Sequence, residues 1–262
     1  MWNMNKSSIS RDWPSLWGLE RNPFREAASE FIALASREMA LRRLLAAIGD
    51  GEPVVSLRGE AGMGKSAILR EASARLKGPS VHVLHARCPS ELPTLVIALA
   101  EGLGIRTNGQ ADPFRALARG VKVRRGLGEH LVFLIDDAQH LAEEAWGPFD
   151  TIGQAGGVTV VRGLRDEGPR LVRDWSHSWR LPPLSYSESR DYLDSKLARA
   201  GCRSRVFGPE AIGRLHAWSE GTPRGLDRLA TLTLRAAAER GETEAPATLI
   251  DDLATKEFEL AG

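Results

Sequence analysis

The sequence has few of the features that mark secreted or membrane-spanning proteins. Its 262 residues include only two cysteines, Cys88 and Cys202, which are too few and too far apart for a disulfide framework. No run of about 18 apolar residues predicts a transmembrane helix, and the first residues lack the basic start and apolar core of a secretory signal. We therefore expect a cytoplasmic protein without membrane insertion and with two buried thiols.

A strong net charge is also missing. The 35 basic and 34 acidic side chains give a formal charge of +1, so any contact with nucleic acid or a membrane must be local. Hydrophobic residues make up 42% of the chain and charged residues 26%, which is typical of globular proteins and excludes a disordered chain. The length suffices for one sizeable domain and a smaller second one.

Short apolar runs alternate with helical patterns in the first two thirds of the chain. The runs predict buried parallel strands at 53–57, 81–85, 131–135 and 158–161, and a weaker fifth strand at 179–184. Helical periodicity occupies 65–76, 91–103, 113–125 and 141–152. This alternation predicts an α/β domain in which helices cover both faces of a parallel sheet.

The strand pattern stops near residue 180. Amphipathic helices are predicted beyond it at 188–200, 209–218, 223–240 and 246–258. We therefore predict an N-terminal arm and first helix over 1–44, an α/β core over 45–180 and a C-terminal helical domain over 181–262.

A phosphate-loop motif, GEAGMGKS, follows the first predicted strand and leads into a helix. Glycines at fixed spacing allow backbone N–H groups to wrap phosphates, Lys65 reaches the β and γ oxygens, and the Ser66 hydroxyl binds Mg²⁺. The predicted ATP-binding residues are Gly59, Glu60, Ala61, Gly62, Met63, Gly64, Lys65, Ser66 and Ala67. The alternative is a glycine-rich turn that binds nothing. The motif in this order indicates a P-loop NTPase.

A second motif, LVFLIDD over 131–137, is an apolar strand that ends in two carboxylates. P-loop NTPases hold Mg²⁺ and polarise the attacking water at this place. We predict that Asp136 binds Mg²⁺, and that Asp137 orients or deprotonates the water. Acids at a strand end also serve as ordinary turn or cap residues, but the upstream phosphate loop favours the catalytic interpretation.

Five segments together resemble the AAA+ ATPases of the general-secretion-pathway protein A (ExeA) type, and the related transposition ATPases of the TniB type look nearly as similar. These segments are WGLERNPF, GEAGMGKS, LVFLIDDAQHL, RLPPLSYSESRDYL and GTPR. The resemblance runs from about residue 17 to residue 240. It implies an ASCE-type AAA+ core whose five-stranded parallel sheet has the order 5-1-4-3-2, followed by a helical lid.

The resemblance also implies roles for individual residues. Leu19, Pro23 and Phe24 correspond to the segment that packs against adenine, although an arm merely packed on the core is an equal alternative. Arg224 corresponds to the lid arginine that reaches the γ-phosphate, and Gln139 resembles a position near that phosphate. Arg173 is the first candidate for an arginine that acts on a neighbouring subunit, and Arg180 is the second.

Three departures from the family pattern favour ATP binding over fast hydrolysis. The usual second acid is Glu, and Asp137 is shorter by one methylene. The trans-acting arginine has no exact match. The polar residue expected after the fourth strand is replaced by Arg162, Gly163 or Leu164, depending on the alignment. A scaffold that binds nucleotide without turnover is therefore an alternative.

Two classes of function fit this pattern. One is an ATP-dependent homo-oligomer that acts on a protein partner in a secretion or transposition system. The other is an ATP-dependent DNA-binding regulator of transposition, for which the relevant feature is a basic stripe on the predicted helix over 114–125: Arg115, Arg119, Lys122, Arg124 and Arg125. Such a stripe is also typical of a solvated helix face.

Overall fold

The structure is a computed structural model that describes residues 13–25, 30–106, 112–166 and 177–261. The chain divides into two compact units. The α/β unit comprises residues 36–61 and 65–182, and the helical unit comprises residues 1–35, 62–64 and 183–262.

Helices and strands are numbered along the chain. The strands are β1 (Val54–Gly59), β2 (Val81–Arg87), β3 (His130–Asp136), β4 (Val158–Arg165) and β5 (Ser178–Arg180). The helices are α1 (Trp13–Leu16), α2 (Ala35–Gly49), α3 (Lys65–Arg75), α4 (Leu92–Gly102), α5 (Pro113–Gly126), α6 (Gly147–Gln154), α7 (Tyr186–Arg199), α8 (Pro209–Ser219), α9 (Pro223–Glu239) and α10 (Ala247–Ala261).

The five strands form one parallel sheet with the order β2-β3-β4-β1-β5. Counted from the other edge, this is the order 5-1-4-3-2, so the fold prediction is confirmed. Because β1 and β3 are parallel, the residues that follow them lie at the same carboxyl edge of the sheet. In open α/β sheets this edge is where ligands bind.

The middle of β3 is fully apolar. Residues 131–135 of β3 are all 0% exposed, as expected for a strand with neighbours on both sides and cover on both faces. Leu131, Phe133 and Ile135 share one face and pack in a cluster with side chains from α4, α5 and α6. At the sheet edge, β2 is only partly buried.

Two predicted elements differ from the structure, and proline explains both. The helix predicted over 141–152 is replaced at its start by a 3₁₀ turn at Glu143–Trp146, and α6 begins only at Gly147. Pro148 fits the first turn of α6, whereas inside a continuous helix it would break a backbone hydrogen bond. The strand predicted over 179–184 ends at Arg180, because the two prolines that follow have no N–H to donate.

Capping residues define where the helices of the helical unit begin. Ser185 and Glu188 form a reciprocal capping box at the start of α7. Thr222 Oγ1 accepts a hydrogen bond from the Gly225 N–H at the start of α9.

No helix in the described ranges is long and apolar enough to cross a bilayer.

The N-terminal arm packs within the helical unit. Buried arm residues join its core cluster, among them Trp13, Trp17, Leu19, Phe24, Ile32 and Leu34. The indole Nε1 of Trp17 donates to the Leu234 carbonyl oxygen at 3.0 Å. The sequence motif places this arm before the core in the chain but carries no signal for its packing against distant helices.

Both cysteines are free thiols. Cys88 is 2% exposed, as predicted. Burial raises the pKa of the Cys88 thiol to about 11, so it stays protonated and unreactive at neutral pH. Cys202 is only partly buried beside the core of the helical unit, so its predicted full burial was wrong.

Candidate nucleotide-binding site

The segment between β1 and α3 has the backbone geometry typical of a phosphate loop. β1 ends at Gly59 and α3 begins at Lys65. Gly62 and Gly64 have φ angles of 82° and 92°, which glycine adopts without strain. A Cβ atom on Gly62 would lie 2.5 Å from Cβ of Arg224. Space as well as conformation therefore requires glycine at position 62.

The Lys65 ammonium folds back over this loop. Its Nζ donates to the carbonyl oxygen of Gly59 at 2.7 Å and to that of Glu60 at 2.8 Å. The residue is 7% exposed. Because the first N–H groups of α3 add partial positive charge beside it, this arrangement suits an anion such as phosphate.

The remaining loop residues differ in exposure. Met63 is buried, Ser66 and Ala67 are half-buried in the first turn of α3, and Glu60 and Ala61 are exposed. A Cβ on Gly64 would meet no atom within 4 Å. The loop therefore has open space in front of Gly64.

Asp136 and Ser66 supply the oxygen ligands that Mg²⁺ prefers. Asp136 ends β3 at the carboxyl edge of the sheet, and its Oδ1 accepts the Asp137 N–H at 3.0 Å. Within the described ranges, no group of three or more His, Cys, Asp or Glu side chains is arranged to hold a metal. The oxygen donors of Ser66 and Asp136 fit the chemistry of Mg²⁺, and their role as its ligands stays a prediction.

The carboxylate of Asp137 has a donor on each oxygen. Arg87 Nε donates to Oδ2 at 3.0 Å, and Gln139 Nε2 donates to Oδ1 at 3.2 Å. The backbone is left-handed, with φ 54°, a conformation that aspartate tolerates better than most residues. Burial acts to raise the pKa of Asp137, but the Gln139 hydrogen bond and the Arg87 charge outweigh it and hold the pKa below its usual value.

Gln139 links the second acid to the neighbouring strand. It lies in the 3₁₀ turn Ala138–His140, and its Oε1 accepts the Arg165 N–H at 3.0 Å. The sequence resemblance had placed Gln139 near the γ-phosphate without giving it a partner. Arg87 was not among the predicted site residues, and its sequence signal is only its place at the end of a strand.

The comparisons with known proteins agree with this geometry. Residues 33–154 match the family described as AAA ATPase domain. The fold is that of an AAA+ ATPase. General secretion pathway protein A of Aeromonas hydrophila is 24% identical over 274 residues, an alignment that covers 95% of this chain and 49% of that protein. The chain thus spans about half the length of this relative.

Solved structures share the AAA+ fold at low sequence identity. Cdc6p of Pyrobaculum aerophilum has a TM-score of 0.67 and 17% identity, covering 88% of this chain and 68% of its own. The ADP form of Aeropyrum pernix ORC2 has a TM-score of 0.65 and 17% identity, covering 90% and 72%. PCH-2 of C. elegans has a TM-score of 0.52 and 13% identity, covering 96% and 74%.

Arg180, a candidate trans-acting arginine of the AAA+ site, is paired within its own chain. Its guanidinium forms an ion pair with Asp166 and lies 3.8 Å from Glu60 Oε1. Asp166 also accepts Arg58 Nη2 at 3.1 Å. The Arg180 side chain is nevertheless 68% exposed. Arg173, the other candidate, lies outside the described residues.

The three candidates for a polar sensor at the end of β4 present no polar side chain to Asp136. Arg162 is 1% exposed and forms an ion pair with Asp150. Gly163 is the residue beside Asp136, because a Cβ built on it would lie 3.1 Å from Asp136 Oδ1. Leu164 packs against an apolar cluster. The position next to Asp136 therefore has no side chain.

Arg224, the predicted lid arginine of the AAA+ family, lies in the first turn of α9. Its N–H donates to the Gly62 carbonyl oxygen at 3.3 Å, a contact within the helical unit, which includes residues 62–64. The backbone of Arg224 thus contacts the phosphate-loop segment. Its predicted role at the γ-phosphate stays a prediction.

Leu19 and Phe24, the predicted adenine contacts, are 4% and 3% exposed in the core of the helical unit. The Phe24 ring lies 6.5 Å from that of Phe207, and its N–H donates to Asn22 Oδ1 at 3.0 Å. These contacts match the alternative of a packed arm. A contact with adenine stays a prediction.

The basic stripe lies on α5, and several of its charges have partners. Arg115 pairs with Asp112 at 3.3 Å and Arg124 pairs with Glu129 at 3.3 Å. Arg125 donates to a backbone carbonyl. Within the described residues, Arg119, Lys122 and Arg125 are the stripe members without an ion pair, and all three are exposed. The surface is therefore less strongly basic than the sequence indicates.

Proposed function

We propose that the chain binds Mg-ATP at the loop over 59–66 and hydrolyses it slowly. The observation that carries the proposal is the loop itself, in which Lys65 Nζ and the start of α3 converge at the carboxyl end of β1. This arrangement combines a fixed ammonium with backbone N–H donors, the two features that bind nucleotide phosphates.

The proposed roles follow the positions of the residues. The loop backbone and Lys65 bind the phosphates, while Ser66 and Asp136 hold Mg²⁺. When bound, the ion neutralises charge on the phosphate oxygens. Asp137 orients the attacking water, and Arg224 is the candidate for the contact with the γ-phosphate.

Slow turnover is proposed from the environment of Asp137. Both of its oxygens accept hydrogen bonds from protein donors, and its pKa is held below the usual value. A carboxylate of low pKa is a weak general base. An aspartate is also shorter than the glutamate of the family pattern.

Self-association is part of the proposal because an arginine from a neighbouring subunit completes the site in related NTPases. Arg173 and Arg180 are the candidates. The Arg180 guanidinium would leave Asp166 and contact a phosphate of the nucleotide that the neighbouring subunit binds. The proposed partner is a protein of a secretion or transposition system, and the proposed location is the cytoplasm.

A DNA partner is a second candidate, supported by the exposed Arg119 and Lys122 on α5. Phosphate contacts weaken as salt rises, because binding releases counterions. Duplex binding that depends on ATP, and whose log K falls linearly with log salt concentration, would favour this function. Salt-independent or absent binding would leave the protein-partner proposal.

The decisive experiment compares Lys65→Ala with Lys77→Ala, a change at an exposed lysine beyond α3. Mg-ATP at about 100 times its Kd stabilises a binding protein by ~2.7 kcal/mol. We expect the melting temperature of wild type and of Lys77→Ala to rise with Mg-ATP, and that of Lys65→Ala to rise far less. Equal rises in all three proteins would place the nucleotide elsewhere.

Hydrolysis is tested separately by phosphate release. We expect slow release by wild type and none by Asp137→Asn at unchanged ATP affinity, with Asp50→Asn, an exposed aspartate, as the matched control. Binding without release in wild type would support the scaffold alternative.

A further inference from the structure

The Gln139 side chain joins two parts of the site that the backbone leaves separate. Its amide Nε2 donates to Asp137 Oδ1 at 3.2 Å, and its Oε1 accepts the Arg165 N–H at 3.0 Å. Arg165 ends β4 and lies in register with Gly59 of β1. The Asp166 N–H donates to the Gly59 carbonyl oxygen at 3.1 Å. One side chain therefore connects the second acid to the strand end beside the phosphate loop.

The orientation of this amide is determined by its partners. A backbone N–H can only donate, so the atom that faces Arg165 must be the amide oxygen. The NH₂ group then faces Asp137 and donates to its carboxylate. A glutamate could accept from Arg165 but would not donate to Asp137 when ionised, and an asparagine is shorter by one methylene. Glutamine is the residue that satisfies both ends.

The turn itself does not need this side chain. His140 N–H donates to the Asp137 carbonyl oxygen at 3.1 Å, and Leu141 N–H donates to that of Ala138 at 3.3 Å. These backbone bonds close the turn that follows β3. The amide of Gln139 thus acts on the Asp137 carboxylate rather than on the path of the chain.

We propose that Gln139 is a positioning residue that holds the Asp137 carboxylate in a fixed place relative to the phosphate loop. The proposal rests on the proposed hydrolysis of ATP. Gln139 acts through Asp137, so its loss should affect turnover more than nucleotide binding.

Two variants separate positioning from simple packing. Gln139→Leu removes both hydrogen bonds, whereas Gln139→Glu keeps an acceptor for the Arg165 N–H and places a carboxylate against Asp137. The exposed Gln154 at the end of α6 provides the matched control, Gln154→Glu.

The first measurement is steady-state ATP hydrolysis. Because a hydrogen bond to a charged group is at stake, we expect each Gln139 variant to lower kcat by roughly 10-fold to 100-fold with KM for ATP nearly unchanged. The Gln154→Glu control should match wild type. Wild-type kcat in Gln139→Glu, or a parallel change in kcat and KM, would overturn the proposal.

The second measurement is the rise in melting temperature that Mg-ATP causes, which needs no turnover. Because Gln139 acts through Asp137, we expect both Gln139 variants to keep the wild-type rise. A lost rise would show that Gln139 supports nucleotide binding and would overturn the positioning role. Absence of hydrolysis in wild type together with a normal rise would instead reject the proposed hydrolysis and, with it, the catalytic meaning of this contact.

Discussion

Replacing Asp150 with asparagine would leave the Arg162 guanidinium buried without its nearest counter-charge. Arg162 is 1% exposed, and its Nη1 lies 3.4 Å from Glu143 Oε1, while Nη2 pairs with Asp150. The guanidinium carbon lies 4.4 Å from the centre of the Trp146 ring. Desolvation lowers the pKa of Arg162, and the two carboxylates oppose that shift. The charge is therefore held inside by its partners.

The size of the loss depends on which partner is removed. Removing one partner of a buried ion pair lowers the free energy of unfolding by about 3–5 kcal/mol. We expect a loss of about 3 kcal/mol for Asp150→Asn, because Glu143 remains. Glu143→Gln should cost less than about 1 kcal/mol, because that side chain is 47% exposed. Arg162→Met removes the charge but keeps contact with Trp146, so we expect an intermediate loss of about 1–3 kcal/mol.

Urea unfolding without nucleotide measures these losses, with Asp50→Asn at an exposed position as the control. The expected order of destabilisation is Asp150→Asn, then Arg162→Met, then Glu143→Gln. Similar small losses for all three would refute a buried ion pair. Reduced ATP turnover in Arg162→Met at normal stability would show instead that Arg162 contacts the nucleotide.

Three further predictions concern the loop and the charges around it. Gly62→Ala and Gly64→Ala both place an alanine in a left-handed conformation, which should lower the free energy of unfolding by about 1–2 kcal/mol. Only at Gly62 would the new Cβ also clash, and this clash should lower it by about 1–3 kcal/mol more. Equal urea-unfolding losses would contradict that difference. Arg87→Gln should raise the pKa of Asp137. In wild type the ionised Asp137 carboxylate stabilises the fold at pH values above its unfolded-state pKa. That stabilisation is lost as the pH falls through the lower folded-state pKa. The variant should therefore be less stable by up to about 1 kcal/mol at neutral pH, with the difference closing on acidification, and a pH-independent difference would count against the contact. If Arg180 acts in trans, specific ATPase activity should rise with protein concentration in wild type and stay flat in Arg180→Ala; a flat wild type rules this out.

The strands were predictable because their apolar runs match the burial of the sheet. The run over 131–135 is short, continuous and fully buried, as a central parallel strand requires. The helix predicted over 141–152 was wrong because apolar periodicity outweighed Pro148 in that prediction. Proline tolerance depends on whether it falls in the first turn or the interior of a helix, and periodicity alone does not locate that turn.

Part of the candidate site is formed by residues close together in the sequence, and part by contacts between residues far apart in the sequence. The phosphate loop is a single continuous segment, so its glycines and Lys65 could be predicted from spacing alone, and their binding of nucleotide stays a prediction. Of the two partners of Asp137, Gln139 lies in the turn that follows β3, and Arg87 ends β2. Arg87 precedes Asp137 by 50 positions in the sequence. Arg165, whose N–H orients Gln139, follows Gln139 by 26 positions. Such contacts follow from strand order and register, which a local motif does not contain.

These contacts favour one of the two roles that the sequence left open for Asp137. A general base needs a pKa near the working pH to accept a proton efficiently, whereas Arg87 and Gln139 hold the pKa of Asp137 below its usual value. An orienting group needs only a fixed acceptor oxygen, and the hydrogen bonds from Arg87 and Gln139 hold the two oxygens of Asp137. Within the proposed hydrolysis, these contacts therefore favour Asp137 as the group that orients the water. Because this carboxylate accepts a proton poorly and reaches less far than a glutamate, we propose slow turnover.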